Sequence, residues 1–433
     1  MKKILLPFFL VLLPCLIFAQ DEQTTLDNST DVIKRCSTAD AHAYLMASDS
    51  AYRVQQIQME QYVEKWISDN PNYEMKTTVT IPVVVHIIYK TTAENVSDVR
   101  VHEQIAETNA DWAGTNSHSM GSFATTLKAN TGIQFCLATI DPNGNPTNGI
   151  TRTQTTKSSF SITGYPQNCT GYPERCTSSG GCDAWDVNKY LNIWVCNAGS
   201  SLCGISEFPT NPLNNYYGTT IHYQFFGHTG ASAPYNLGGT YTHEAGHCFN
   251  LYHIWGDDGG GCSGSDNCND TPNQASENYG ALSGMHTDAC TTTSPGIMYM
   301  NFMDYSDDIS YANFTPNQVA RIQAMIAANG ACHALSLSTR CSGAGITETE
   351  AISDITIYPN PTQGMINISF RLTNADNVEI TVSNLLGDVV SKVTRENVTS
   401  VNLSLDLTDQ SSGIYYVQIK SGSQTLTKKI SLF

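Results

Sequence analysis

His243-Glu244-Ala245-Gly246-His247-Cys248-Phe249-Asn250-Leu251-Tyr252-His253 decides the reading of this chain. On a helix, residues four apart share a face, so the imidazoles of His243 and His247 can grip one zinc ion. Glu244 then stands beside the metal without ligating it, free to act as a base. A catalytic zinc takes three protein ligands and leaves a fourth position open. His253 is the third candidate, but a straight helix would swing it away. The backbone must therefore turn sharply after His247. Asn250 falls where that turn belongs, and asparagine is second only to glycine in accepting a left-handed backbone.

The composition narrows the class. A chain of 433 residues is long enough for a substantial core and more than one folded unit. A formal charge of −17 and a pI near 4.9 exclude a nucleic-acid or anionic-membrane partner, since both need a basic surface. Met1-Lys2-Lys3, the apolar run over residues 4–18 and Ala19-Gln20 read as a secretory signal peptide, residues 1–19. No later apolar run reaches bilayer length, so stable membrane insertion is not expected. Of 14 cysteines, Cys15 falls in the leader; the remaining thirteen imply an oxidising compartment, several disulfides and one thiol left over. Cys332 and Cys341 are close enough in sequence to bridge. Cys169, Cys176 and Cys182 are too clustered for their pairing to be assigned, and their spacing excludes a C-x2-C zinc finger. Cys248 points about 100° away from the zinc face, toward core or a disulfide.

Residues 20–76 form a polar leading segment with one helical stretch over 41–67, where apolar residues recur at three- and four-residue spacing. The main domain, 77–335, opens with a buried β-branched strand over 80–89. A helix over 98–112 and strands over 132–140, 191–196 and 219–226 lead to the zinc helix. That order predicts an α/β layer with a mostly parallel sheet. Residues 256–295 are rich in Gly, Asp, Asn, Ser and Thr, an irregular stretch that needs disulfides, ions or a function to organise it. A linker at 336–352 precedes short alternating strands over 353–433, which read as a small all-β sandwich.

The zinc segment resembles the extended H-E-x-x-H-x-x-G-x-x-H motif of metzincin peptidases, with Asn250 where that motif has glycine. The run Leu251-Tyr252-His253-Ile254-Trp255-Gly256-Asp257 is similar to the pappalysin family of that clan. So are Ser179-Gly180-Gly181-Cys182-Asp183-Ala184-Trp185-Asp186, Asp270-Thr271-Pro272 and Phe314-Thr315-Pro316-Asn317-Gln318, and the likeness covers most of residues 80–333. It implies an α+β fold: a twisted, mostly parallel five-stranded sheet with a backing helix and the zinc helix, then an irregular C-terminal subdomain. Asn301-Phe302-Met303-Asp304-Tyr305 looks like the family's Met-turn, which would put Met303 beneath the three histidines and Tyr305 on the substrate side. The implied chemistry is peptide hydrolysis with one catalytic Zn2+, Glu244 as base and proteins or peptides as substrates. Arg35-Cys36-Ser37-Thr38 resembles the R-C-G-T segment of pappalysin-like zymogens. Cys36 is then a candidate fourth zinc ligand in a latent precursor, activated by cleavage between about residues 68 and 80; a disulfide or an idle thiol is the alternative. The family pattern suggests a Cys262–Cys290 bridge. It also places Asp266 and Asp270 where related enzymes bind Ca2+, although solvated loop acids explain them equally well. The last eighty or so residues, with Tyr358-Pro359-Asn360-Pro361 and a basic-apolar terminal strand, resemble the sorting domain of type IX secretion, which implies that machinery as a partner and a secreted or cell-surface location. The alternative to an enzyme is a secreted adhesin or binding protein on a metzincin fold.

Overall fold

The computed structural model describes residues 33–71, 78–199, 202–341, 352–384, 388–421 and 424–433. The leader read over 1–19 and most of the linker read over 336–352 lie outside them. The chain divides after Cys341 into two compact units. Among the described residues no helix is long and apolar enough to cross a membrane.

The first unit is organised by β2 (Val79–Tyr89), in which residues 81–88 are all buried. A strand buried on both faces must be covered on both sides, which suits the centre of a parallel sheet. One flank of β2 pairs with β5 (Leu191–Cys196), and the other with β3 (Ile133–Leu137) and then β4 (Ile150–Gln154), all parallel. Beyond β5 lie β7 (Gly218–His222), then β6 (Leu202–Ser206) running antiparallel, then β1 (Lys34–Cys36) running parallel to β6. The sheet thus has seven strands rather than five. β3 and β4 lie end to end against β2, so the sheet is five positions wide until β1 adds a sixth. β1, β4 and β6, of 3, 5 and 5 residues, were not expected from the sequence, and three residues are too few for β1 to show an alternation.

The helical stretch read over 41–67 is two helices, α1 (Thr38–Ser48) and α2 (Ser50–Asp69). Asp49 between them is extended, and its carboxylate accepts from the Ala51 and Tyr52 amides at 2.9 and 3.1 Å. Aspartate prefers such N-caps to helix interiors, so the chain breaks there. α3 (Asp98–Trp112) backs the sheet and occupies the span read from sequence. α4 (Gly239–Cys248) carries His243 and His247, α5 (Pro316–Ile326) carries a full capping box at Thr315 and Gln318, and α6 (His333–Ser336) follows.

Disulfides join Cys136–Cys341, Cys169–Cys176 and Cys262–Cys290. The Cys332–Cys341 pairing expected from proximity is not formed. Cys332 is buried with its sulfur 3.2 Å from the Tyr217 hydroxyl, while Cys341 reaches across 205 residues. Among the described residues seven thiols are free rather than one, and all but Cys182 are buried. Small buried thiols pack as hydrophobes, so counting cysteines overstates pairing.

The second unit is all-β. β9 (Met365–Asn384) pairs along its length with β10 (Val389–Asp406), with irregularities between residues 395 and 400. β8 (Ile352–Tyr358) flanks one half of β9; β11 (Gly413–Ser421) flanks the other and carries β12 (Gln424–Leu432). Both halves contribute to one core, which includes Ile366, Phe370, Ile380 and Val417.

Candidate active site

Every residue of α4 is buried. Gly239 opens it against the Asp308 carboxylate, where a β-carbon would lie 2.6 Å from an Oδ atom. It ends in a Schellman motif: the Leu251 amide donates to Gly246 O and the Asn250 amide to His247 O, each at 3.0 Å. Asn250 carries the left-handed backbone that this ending requires, at φ 66°. The turn swings His253 back to the helix.

The three Nε2 atoms converge. His247 Nε2 lies 3.2 Å from that of His243 and 3.2 Å from that of His253, and Cys36 Sγ is 3.5 Å from His247 Nε2. A tetrahedral zinc with ordinary bond lengths needs nitrogen–nitrogen edges of about 3.4 Å and nitrogen–sulfur edges of about 3.6 Å. Each Nδ1 faces an oxygen that can only accept: Phe302 O at 2.6 Å, Leu251 O at 2.8 Å and the Asp257 carboxylate at 2.8 Å. The proton therefore sits on Nδ1, and each Nε2 points a lone pair at the common centre. Burial holds His243 and His247 well below the usual histidine range, which keeps them neutral. Three lone pairs this close repel unless a cation lies among them. Cys36, His243, His247 and His253 are the sole group of this kind among the described residues.

Glu244 is buried beside this centre. It accepts from the Thr38 hydroxyl at 3.0 Å, and burial pushes its carboxyl up to about 7 against the opposing Cys36 and Thr38 contacts. Gly204 on β6 makes room for it, since a β-carbon there would lie 2.8 Å from the Glu244 side chain. Met303 lies under α4 with its sulfur against Gly246, and its carbonyl accepts from the Ile254 amide. The Tyr305 ring packs 5.6 Å from His243 and 4.9 Å from His253, and its hydroxyl donates to Cys36 O at 3.4 Å.

The segment bearing Cys36 fills the groove. β1 pairs with β6, Thr38 holds Glu244, and Arg35 enters a buried slot. There its guanidinium meets Asp308 Oδ1 at 2.6 Å and Thr240 Oγ1 at 3.0 Å, lying 4.0 Å over the Tyr235 ring. Asp308 also caps the start of α4, accepting from the Gly239 amide. Sequence reasoning gave no role to Asp257, Asp308, Thr38, Thr240 or Gly204.

Asp266 and Asp270 are engaged by their own chain. Asp266 is buried, with its carboxyl pushed up to about 7, and accepts from Thr271 Oγ1. Asp270 accepts from Thr315 Oγ1 and the Asn317 amide at the start of α5. Among the described residues neither belongs to a cluster of three or more metal-ligating side chains.

Residues 179–327 match the family described as Pregnancy-associated plasma protein-A, and residues 356–432 match the secretion system C-terminal sorting domain. The fold is similar to a promirolysin variant of Tannerella forsythia, 36% identical, with a TM-score of 0.65 over 72% of this chain and 100% of that one. Mature mirolysin of the same organism, solved with a cleaved peptide, is 41% identical with a TM-score of 0.59, over 63% of this chain and 100% of that one. An extracellular metalloprotease of Podospora anserina is 41% identical over 140 residues, 31% of this chain. The match spans less than half of that fungal relative, 46% of its length. The sorting module marks the protein as secreted or cell-surface. From its convergent histidines, its match over residues 179–327 and its likeness to the whole length of promirolysin, the chain belongs to the Pregnancy-associated plasma protein-A family of metallopeptidases.

Proposed function

We propose that the chain is the latent precursor of a secreted zinc endopeptidase, exported by the type IX machinery through its C-terminal module. The convergence of His243, His247 and His253 beside Glu244 carries this reading. Zinc, when bound, supplies Lewis-acid activation of water and of the scissile carbonyl. The histidines hold it through Nε2. Glu244, beside that centre, takes a proton from the attacking water and returns it to the leaving amine. Tyr305 offers its hydroxyl to the negative charge that develops on the carbonyl oxygen.

Latency rests on four contacts made by one short stretch. Cys36 takes the position that water needs, Thr38 occupies Glu244, Arg35 fills the slot floored by Asp308, and β1 covers the edge of β6. Withdrawal of the stretch frees β6 to pair with an extended peptide. It also leaves the Asp308 carboxylate uncompensated between Tyr235 and Tyr311, which favours a substrate with a basic side chain at that point.

The test compares full-length wild type, Cys36→Ala and Cys36→Ala/Glu244→Ala against a peptide library, with zinc content measured for each. Wild type is expected to be silent and Cys36→Ala to cleave peptides or clip itself. The double variant should keep its zinc and lose activity at least about a hundredfold. A zinc-loaded protein that cleaves nothing, even after removal of the leading segment, would favour the binding-protein alternative. If Cys36→Ala stays silent while the processed enzyme is active, latency is steric cover alone.

A further inference from the structure

Two of the three histidines are held in place by backbone. His243 and His247 donate from Nδ1 to Phe302 O and Leu251 O, which no substitution at those positions removes. His253 is held differently, by both oxygens of Asp257 at 2.8 and 3.1 Å. The Asp257 side chain keeps 37% of its exposure while His253 is fully buried. It faces the cavity at the mouth of the site, also lined by Lys34, Cys36, Asp40, Glu277 and Tyr305.

Asp257 stands where its own backbone gives it little reason to be. Its φ is 52°, in the left-handed region, directly after Gly256 at φ 72°. Glycine is the residue that takes such a position without strain. The carboxylate that stands there does more than make a turn: it holds His253 Nδ1. The His253 ring also packs against others: Trp255 stacks 4.3 Å away at 9°, and Tyr305 meets it at 81°. Stacking fixes the plane of an imidazole but not which nitrogen carries the proton. An anionic acceptor on Nδ1–H fixes the tautomer and makes Nε2 a stronger donor. It also brings a carboxylate close to the point where the three Nε2 atoms converge.

We propose that Asp257 is a positioning residue for the metal centre, setting the tautomer, orientation and donor strength of His253. This rests on the zinc reading above. The third ligand is then the one whose grip depends on a side chain.

The test uses the full-length chain as wild type, Asp257→Gly and Asp257→Asn. Glycine relieves the backbone and removes the acceptor; asparagine tolerates the same φ and keeps a neutral one. Zinc dissociation constants come from chelator competition, and the visible spectrum of the cobalt-substituted protein reports ligand geometry. Asp257→Gly should bind zinc roughly 10- to 100-fold more weakly, with Asp257→Asn in between. Both should alter the cobalt bands, and the melting temperature of the metal-free chain should not fall. Equal zinc affinities and identical cobalt spectra in all three would overturn the role of Asp257 and leave the zinc site standing. A wild-type chain that takes up no zinc would overturn both readings together.

Discussion

Tyr305 is wedged among His243, His253 and Trp255, so its ring has little freedom to move. Its hydroxyl donates to Cys36 O, the peptide carbonyl next to the thiol at the metal position. Tyr305→Phe keeps the ring packing and deletes only the donor. In the processed enzyme kcat should fall roughly tenfold to a thousandfold with zinc content unchanged. Steady-state kinetics beside metal analysis decide it, and an unaltered kcat would return Tyr305 to packing. At this scale, legibility followed distance along the chain. His243, His247, Asn250 and His253 declare themselves because helix period and turn chemistry are local. Arg35 meets Asp308 across 273 residues and Thr38 meets Glu244 across 206, so neither partner announces the other. Asp257 is local but follows an irregular turn, where no period points to it.

α2 docks on α5 with a largely buried ion pair and a hydrogen bond from the Tyr62 hydroxyl to Ala324 O. Arg321 on α5 meets both carboxylate oxygens of Glu60 on α2 at 2.7 and 2.8 Å, and also donates to Asn250 O, the carbonyl of the left-handed turn. Arg321 is almost wholly buried, while Glu60 retains 19% side-chain exposure. Removing one partner of a buried pair strands the other charge. Glu60→Ala should therefore destabilise the precursor by about 2–4 kcal/mol, toward the lower end of the buried range because Glu60 is partly wet. Urea unfolding of the precursor measures it. The processed enzyme, lacking Glu60, provides the control. Elements were readable in proportion to their length. β2, β5 and α3 carry enough apolar residues for a pattern, whereas the three residues of β1 become a strand only because β6 offers an unpaired edge. Disulfides resisted for a related reason: Cys136 and Cys341 are neighbours only after the sheet and the chain beyond α6 have formed.

On the scale of the molecule, the two units have separate cores, one around β2 and α4 and the other around Ile368, Ile380 and Val417. Each should melt as its own cooperative body. Calorimetry of the full-length protein should show two transitions, and a chain ending at residue 341 should retain one of them at its original temperature. A single merged transition in the full chain, lost on truncation, would mean the units depend on each other. The division into α+β and all-β parts was readable because cysteine usage and strand pattern change together near residue 341. The groove itself was not, since it exists only where a leading strand meets the far edge of the sheet. That parallel pairing of β1 with β6 has a kinetic consequence. A cut beyond α2 severs the chain but breaks none of the contacts of Arg35, Cys36 or Thr38. On the latent-precursor reading proposed above, the nicked protein is a complex of two fragments, and its awakening is governed by how long the shorter one stays bound. Activity should emerge with a lag after the cut that zinc chemistry does not set. In crowded or concentrated surroundings the severed strand can return to its seat, so the same molecule would be quieter where it accumulates than where it disperses.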